Sequence, residues 1–169
     1  MPVLETQRLL LREFQHEDLD ALATILSDRE TMRYYPVPFD RAAVADWIQR
    51  NRTRYANDGH GLWAMILKST RELIGDCGLV RQNVDAVDEI EIGYHVRRDL
   101  WSRGYATEAA RACRDFGFAN LGVDRLISLI RPENLASRCV AEKNGMTIWK
   151  EVIKADLLHY VYAIKRDEA

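Results

Sequence analysis

The segment from residue 94 to residue 109 constrains this chain more than any other part of its sequence. A strand-like stretch ends near Val96, a short loop with Arg98 and Arg103 follows, and a helical pattern begins near Gly104. The first turn of a helix has N–H groups without partners at the positive end of the helix dipole, so it binds anions such as pyrophosphate. Because Gly104 has no Cβ, phosphate oxygens can approach its backbone. The segment therefore predicts an anion-binding site, with a solvated strand-to-helix turn as the alternative.

The glycine pattern around this loop excludes two common nucleotide-binding motifs. No Gly-Lys-Ser/Thr follows Gly104, as a P-loop would require, and no Gly-x-Gly-x-x-Gly dinucleotide fingerprint is present. The anion expected here is therefore bound in another way.

Hydrophobic periodicity along the chain predicts the element order β-α-α-β-β-β-α-β-α-β-β. The predicted strands cover residues 3–13, 62–68, 72–81, 89–96, 125–131, 146–154 and 157–165. The predicted helices cover residues 16–28, a segment capped by Asp40 and reaching Tyr55, residues 103–120, and a segment from Asn134 to Asn144. Short connections predict antiparallel hairpins in the middle of the chain, and the late helices predict at least one parallel crossover. The fold class is therefore mixed α/β (α+β).

Length and composition exclude several functions. The 169 residues suit one domain spanning residues 1–169, and the net charge of −2 leaves no basic excess for general nucleic-acid binding. No apolar run reaches the roughly 18 residues of a membrane-spanning helix, and the charged N-terminus is unlike a signal peptide, so we expect a cytoplasmic protein. Cys77, Cys113 and Cys139 are odd in number and widely spaced, which argues against a disulfide framework or a zinc site. We expect no metal, no nucleic-acid partner and no membrane partner.

Four stretches of the chain together resemble the GNAT superfamily of acetyltransferases, and look most like its RimJ/RimL-type branch. They are residues 5–12 (ETQRLLLR), 101–109 (WSRGYATEA), 131–137 (RPENLAS) and 142–146 (EKNGM). The superfamily's acetyl-CoA loop has the pattern Gln/Arg-x-x-Gly-x-Gly/Ala. Gly104 and Ala106 match it, whereas Trp101 stands in the first place, as is common in this branch.

This resemblance implies a fold, a reaction and a set of cofactor-binding residues. The fold would be a single GNAT-type domain with a mostly antiparallel twisted sheet of about seven strands, a splayed central pair and about four helices. The reaction would be direct acetyl transfer from acetyl-CoA to a primary amine. The residues expected to bind acetyl-CoA are Tyr94, His95, Val96, Ser102, Arg103, Gly104, Tyr105, Ala106, Thr107, Asn134 and Ser137.

Acetylation of an amine requires a base, because a lysine-like amine has a pKa near 10 and must lose a proton to attack a thioester. The strand at 89–96 alternates, with Glu89, Glu91 and His95 on its polar face. Glu91 is the first candidate for the base, Glu89 the second, and His95 the third. A merely solvated polar face is the alternative.

The departing thiolate requires a proton or a hydrogen bond. Many superfamily members use a tyrosine at the position that is Ala141 here, so that role does not transfer. Ser137 is the remaining hydroxyl of this segment, and the branch resemblance places it against the thiol sulfur. Helix capping is the alternative role for Ser137, and Asn134 is open to both a capping and a cofactor-binding role.

The sequence leaves the acceptor open. The aromatic residues Tyr34, Tyr35, Phe39 and Trp63 are candidates for the acceptor wall, or for ordinary packing. The branch resemblance favours the N-terminal amine of a protein, and a polyamine, amino acid or antibiotic is the second possibility; an acidic groove would favour polyamines or basic peptides. A non-catalytic acyl-CoA-binding module and a purely structural interaction domain are the rival classes. Monomer and homodimer both remain possible.

Overall fold

Eight strands form one open sheet in the order β1-β2-β3-β4-β5-β6-β8-β7 in the computed structural model, which describes residues 1–169. The strands are β1 (Pro2–Glu5), β2 (Leu9–Arg12), β3 (Leu62–Leu67), β4 (Leu73–Val84), β5 (Val87–Val96), β6 (Arg125–Ile130), β7 (Thr147–Lys154) and β8 (Leu157–Lys165). The helices are α1 (Leu19–Leu26), α2 (Arg41–Asp58), α3 (Tyr105–Asn120) and α4 (Leu135–Lys143). The predicted mixed α/β class with four helices is confirmed.

Local capping signals set the helix ends, as the sequence predicts. The Asp40 carboxylate accepts a hydrogen bond from the backbone N–H of Ala43 at 2.8 Å and caps α2. The Asn134 side chain caps α4 in the same way, by accepting from the N–H of Ser137 at 3.1 Å. These bonds satisfy N–H groups that a helix start otherwise leaves without partners.

The N-terminal segment differs from the single strand predicted over residues 3–13. It forms the antiparallel pair β1 and β2, joined by a turn in which the N–H of Thr6 donates to the carbonyl of Leu9 at 2.9 Å. The carboxylate of Glu108 in α3 holds this turn, because it accepts from the Thr6 hydroxyl at 2.6 Å and from the Arg8 N–H at 2.8 Å. A contact this distant in sequence leaves no local pattern, and it raises the strand count from seven to eight.

The strands β5 and β6 are the parallel pair of the sheet, and they diverge after a very short paired stretch. Their register contains a single bridge, Glu91 with Ile127, whereas β4 and β5 pair from Gly75–Val96 to Val84–Val87. Beside the bridge, side chains replace backbone pairing: the Ser128 hydroxyl donates to the carbonyl of Ile92 at 2.8 Å. The predicted splayed central pair is confirmed.

Helices cover the two faces of the sheet unequally. The helices α3 and α4 pack on one face, with a core that includes Leu79, Cys113 and Tyr162. The helices α1 and α2 pack on the other face, but only against β2 to β5. No helix covers the rest of that face. There β7 approaches the β4–β5 turn, since Lys150 of β7 forms an ion pair with Asp85 of this turn at 2.6 Å. None of the helices has the length and apolar character needed to cross a bilayer.

Two glycines of β4 allow other backbone segments to approach it closely. A Cβ at Gly75 would overlap the carbonyl oxygen of His95, and a Cβ at Gly78 would overlap that of Gly61. The close approach that glycine inside a strand predicts is therefore present at both positions.

Candidate active site

The loop between β5 and α3 exposes the start of α3 to solvent. The Trp101 indole N–H donates to the carbonyl of Val96 at 2.7 Å and fixes the loop to the end of β5. Gly104 is the N-cap with φ of 82°, and it has no side chain to cap the helix. The backbone N–H groups of Tyr105, Ala106 and Thr107 therefore have no protein partner. These groups and the exposed Ser102 and Arg103 form the predicted anion-binding geometry.

The charges around this helix start leave Arg103 available. Arg8 forms an ion pair with Glu108 at 2.6 Å and stacks 4.4 Å over the ring of Tyr105. Arg98 lies 3.8 Å from Asp28. Arg103 forms no ion pair; its backbone carbonyl accepts from the Arg8 guanidinium at 2.9 Å. Of these basic groups, Arg103 is the one free to approach an anion.

The backbone of β5 presents unpaired groups to the splay. Residues that exchange hydrogen bonds with β4 alternate along an antiparallel strand, and Arg97 donates to the carbonyl of Ile74 at 2.7 Å. This register directs the backbone groups of Tyr94 and Val96 toward β6, and those of His95 toward β4. Because the Val96 carbonyl accepts from Trp101, its N–H and both Tyr94 groups are left at the open edge.

The side chain of Tyr94 connects β5 to the start of α4. Its hydroxyl donates to the carbonyl of Ser137 at 2.9 Å and accepts from the Ser137 hydroxyl at 3.1 Å. Burial raises the pKa of Tyr94, so this phenol stays protonated. The structure therefore brings Tyr94, Asn134 and Ser137 together on the α4 side of the splay.

The carboxylate of Glu91 fills the apex of the splay on the opposite face. It accepts from the Gln82 amide at 2.7 Å and from the backbone N–H of Leu129 on β6 at 3.3 Å. Burial raises the pKa of Glu91 above its ordinary value, although both hydrogen bonds oppose this shift. Glu91 therefore takes up a proton more readily than an exposed carboxylate.

His95 lies on the same face as Glu91 and belongs to a buried polar network. Its Nδ1 donates to Asp76 at 2.7 Å, and the other Asp76 oxygen accepts from the Trp47 indole at 2.9 Å. The Nε2 of His95 lies 2.8 Å from the Tyr35 hydroxyl. Burial lowers the pKa of His95, but the charge and hydrogen bond of Asp76 outweigh it, so the pKa is raised overall.

Residues 8–147 match the family model described as the acetyltransferase (GNAT) domain. The chain belongs to the GNAT acetyltransferase family. Among its relatives is YkkB, an uncharacterised protein of Bacillus subtilis (strain 168), which is 38% identical over 152 residues, or 89% of this chain and 88% of YkkB.

Solved structures agree with this GNAT assignment. An acetyltransferase from Agrobacterium tumefaciens str. C58 has a TM-score of 0.86 and 28% identity, covering 98% of this chain and 95% of its own. RimL, a ribosomal L7/L12 α-N-protein acetyltransferase solved with coenzyme A, has a TM-score of 0.80 at 16% identity and covers all of both chains. At that identity the likeness to RimL shows the fold alone.

The second base candidate of this GNAT chain, Glu89, differs from Glu91 in its surroundings. Its side chain is 7% exposed and forms an ion pair with Arg125 of β6. Arg125 in turn stacks over the ring of Trp149 on β7, with 3.9 Å to the centroid. Glu89 therefore contributes to an ion pair that joins strands, whereas no arginine or lysine contacts Glu91.

The structure places Tyr35 and Phe39 of the predicted aromatic group near His95, and Trp63 on the opposite face of the sheet. Tyr35 packs against Phe39 with ring centroids 6.0 Å apart, and Trp47 packs against Phe39 at 5.5 Å and against His95 at 5.9 Å. Trp63 lies on the other face of the sheet, 5.4 Å from Phe116. Strand alternation explains the difference, because Ala64, and not Trp63, pairs with Asp76.

Sequence reasoning missed Asp76, Trp47 and Gln82. Asp76 is fully buried in an otherwise apolar strand, LIGDCGLV, and a buried acid requires a partner. That signal was available in the sequence, but it does not identify His95 as the partner. Gln82 gave no signal, because its contact with Glu91 follows from the register of β4 and β5.

We expect Asp76→Asn to lower the pKa of His95 below the ordinary value of 6.5, because burial, the largest influence on it, is then opposed only by the weaker effect of the Glu91 charge. NMR titration of the imidazole measures this. The raised pKa in the wild type contributes stability that is present below pH 6.5 and lost as pH rises through the folded-state pKa. That contribution should disappear in the variant. Trp47→Phe is the matched control: it removes the other hydrogen bond of Asp76 and should keep the pKa raised.

Proposed function

We propose that this GNAT acetyltransferase transfers the acetyl group of acetyl-CoA to a primary amine by direct attack, without an acetyl-enzyme. The observation that carries the proposal is the splay between β5 and β6. It has a carboxylate at its apex, Glu91, and an uncapped helix start at the open end of β5. An acidic group for the amine and an anion site for the pyrophosphate thus flank one opening.

The donor set of the chain fits acetyl-CoA. The N–H groups of Tyr105, Ala106 and Thr107 and the side chain of Arg103 suit a pyrophosphate. The unpaired backbone groups of Tyr94 and Val96 suit the amides of pantetheine, which can pair with an open strand edge. When bound, acetyl-CoA supplies an activated acetyl thioester.

Glu91 is the proposed base. Its raised pKa supports this role, because a base is most effective when its pKa lies near the working pH. It accepts a proton from the acceptor amine, directly or through water. The nitrogen lone pair forms the C–N bond to give a tetrahedral oxyanion, and collapse of this oxyanion breaks the C–S bond and releases the thiolate. Glu89 is paired with Arg125, and both ring nitrogens of His95 are held by Asp76 and Tyr35, so these two groups are weaker candidates.

Tyr94 and Ser137 are proposed to receive the leaving thiolate together. The Ser137 hydroxyl now donates to the Tyr94 hydroxyl, and a rotation about its C–O bond would direct that proton toward the sulfur. The N–H of Val96, which is unpaired at the open edge of β5, is proposed to stabilise the oxyanion on the acetyl carbonyl. His95 is proposed to have a positioning role, because its contact with Tyr35 holds the loop of residues 27–40 against β5.

The acceptor is proposed to be a primary amine, and the N-terminal amine of a protein is the first choice. The branch resemblance supports this choice, as does the fold likeness to RimL, which is named as an α-N-protein acetyltransferase. A small-molecule amine is the second choice.

Thermal unfolding with acetyl-CoA, followed by assays of thiol release, tests the proposed function. A ligand at about 100 times its dissociation constant adds roughly 2.7 kcal/mol of stability, which is a shift of a few degrees for a chain of this size. S-Acetylpantetheine is the matched control, because it lacks the pyrophosphate and should stabilise the protein less. The absence of both a shift and thiol release with any amine would contradict the proposal.

A further inference from the structure

Three basic side chains lie beyond Glu91 on the same face of the sheet: Arg131, Lys154 and His159. Lys154 lies on β7 and His159 on β8, where Val152 pairs with His159 and Lys154 with Leu157. Arg131 directly follows β6, whose last residue, Ile130, pairs with Tyr160, the neighbour of His159. Burial lowers the pKa of His159, and the positive charges of Arg131 and Lys154 lower it further. We call these three residues the basic cluster.

The basic cluster is short of negative partners within the chain. Lys154 has no carboxylate within ion-pair distance, and its ammonium donates to the side-chain carbonyl of Gln82. Arg131 forms an ion pair with Glu133 at 2.6 Å, but its Nε is buried without a partner. The Nδ1 of His159 bonds to the Leu157 carbonyl at 2.9 Å, and its Nε2 has no partner. A buried guanidinium N–H without a partner, next to an ammonium without a carboxylate, favours the binding of an anion.

Gln82 connects the basic cluster to the proposed base. Its carbonyl accepts from Lys154, and its amide donates to Glu91 at 2.7 Å. One side chain therefore separates a positive charge from the carboxylate that would receive the amine proton. An acceptor whose amine lies at Glu91 would place a group a few bonds away within reach of Lys154.

The 27–40 loop borders the same region, since the Tyr34 hydroxyl donates to the carbonyl of Glu133 at 3.1 Å. The acids near the region are mostly neutralised. Asp76 pairs with His95, Glu89 pairs with Arg125, and Glu133 pairs with Arg131. Lys154 is then the cation of the basic cluster without a carboxylate partner, and its charge disfavours polyamines and basic peptides.

We propose that the acceptor carries a carboxylate close to its reactive amine, and that Lys154 and Arg131 bind this carboxylate. The inference rests on the proposed function and narrows its substrate class. The carboxylate belongs either to a free amino acid or to an acidic side chain just behind a protein N-terminus. Both sources have the same chemistry at the basic cluster.

Matched acceptors test this inference through kcat/KM for thiol release. L-Glutamate is compared with its diamide, and a tetrapeptide with Asp in the second and third positions is compared with its Asn and Lys counterparts. In one of these two series, kcat/KM for the carboxylate acceptor should be about 10- to 100-fold higher than for its neutral counterpart, which is the size of a charge-assisted contact. The series that shows the preference identifies the source of the carboxylate. Spermidine should be the poorest acceptor.

Substitutions on β7 test whether the basic cluster causes the preference for a carboxylate acceptor. Lys154→Met should reduce the ratio of acid to amide kcat/KM by about 10-fold or more, mainly through a higher KM for the acid, and Lys154→Arg should keep the ratio. Lys150→Met is the control, because Lys150 lies on the same strand but pairs with Asp85. Equal use of acids and amides, or a preference for spermidine, overturns this inference and leaves acetyl transfer standing. If none of the acceptors gives thiol release, both this inference and the proposed acetyl transfer are contradicted.

Discussion

Glu91→Gln is expected to lower kcat by about 10²- to 10⁴-fold, the usual contribution of a general base. The glutamine has nearly the same shape and can still accept from Gln82 or Leu129, so the apex of the splay should keep its geometry. An amide cannot take the amine proton, however. The affinity for acetyl-CoA should stay nearly constant, because Glu91 lies on the face opposite Tyr94 and Ser137. Thiol-release kinetics and ligand-induced thermal shifts measure the two quantities separately.

Glu89→Gln is the matched control, one residue pair earlier on the same face of β5. It breaks the ion pair with Arg125 and should lower the free energy of unfolding while kcat changes little. A Glu91→Gln enzyme with the wild-type kcat would remove Glu91 from the mechanism. A large loss in Glu89→Gln alone would transfer the role of base to Glu89.

The pH profile of the wild type gives a second readout of Glu91. A base must be deprotonated to act, and burial raises the pKa of this carboxyl above 4.5. Activity should therefore be lost as pH falls through that raised value, so the acidic limb of kcat/KM should lie above the ordinary carboxyl range. Glu91→Gln should abolish this limb.

Gly104→Asp is expected to weaken acetyl-CoA binding by 100-fold or more, roughly the cost of a like charge at close range in a partly buried anion site. Gly104 has a φ of 82°, a conformation in which Asp and Asn are among the better-tolerated replacements. The nearest atom to an added Cβ is an Arg8 guanidinium nitrogen at 3.4 Å, so the side chain itself has space.

Gly104→Asn separates charge from shape in this experiment. It has the same size and backbone strain as the aspartate variant but no charge, and it should weaken binding by only about 10-fold. Without ligand, the aspartate variant should be the more stable of the two, because aspartate at a helix N-terminus interacts favourably with the helix dipole. The aspartate variant should therefore unfold at the higher temperature when acetyl-CoA is absent. Equal affinities for acetyl-CoA in the two variants would locate the pyrophosphate elsewhere.

The sequence predicted those parts of the fold that depend on local chemistry. The caps at Asp40 and Asn134, the uncapped helix start at Gly104 and the alternation of β5 are all properties of a few consecutive residues. Their physical causes operate within one turn of helix or one strand. These elements also carry most of the proposed cofactor site, so the sequence alone was enough to propose it.

Features that depend on distant partners were not predictable in the same way. The turn at Thr6 is fixed by Glu108, and the buried charge of Asp76 is satisfied by His95 and Trp47. Trp63 was a candidate for the acceptor wall or for ordinary packing, and the register of β3 places it on the face opposite His95. The basic cluster requires β7 to curl toward β4, and no pattern in either strand predicts that contact.

The hydrogen bond between Thr6 and Glu108 spans 102 positions of the chain, and this imposes an order on folding during synthesis. The N-terminal residues emerge from the ribosome first, yet the turn between β1 and β2 has no anchoring carboxylate until α3 has also emerged. At about 5–20 residues per second, the delay amounts to roughly five to twenty seconds. In this interval the first two strands are translated but their turn is not anchored, so the earliest-made edge of the sheet becomes fixed only with α3.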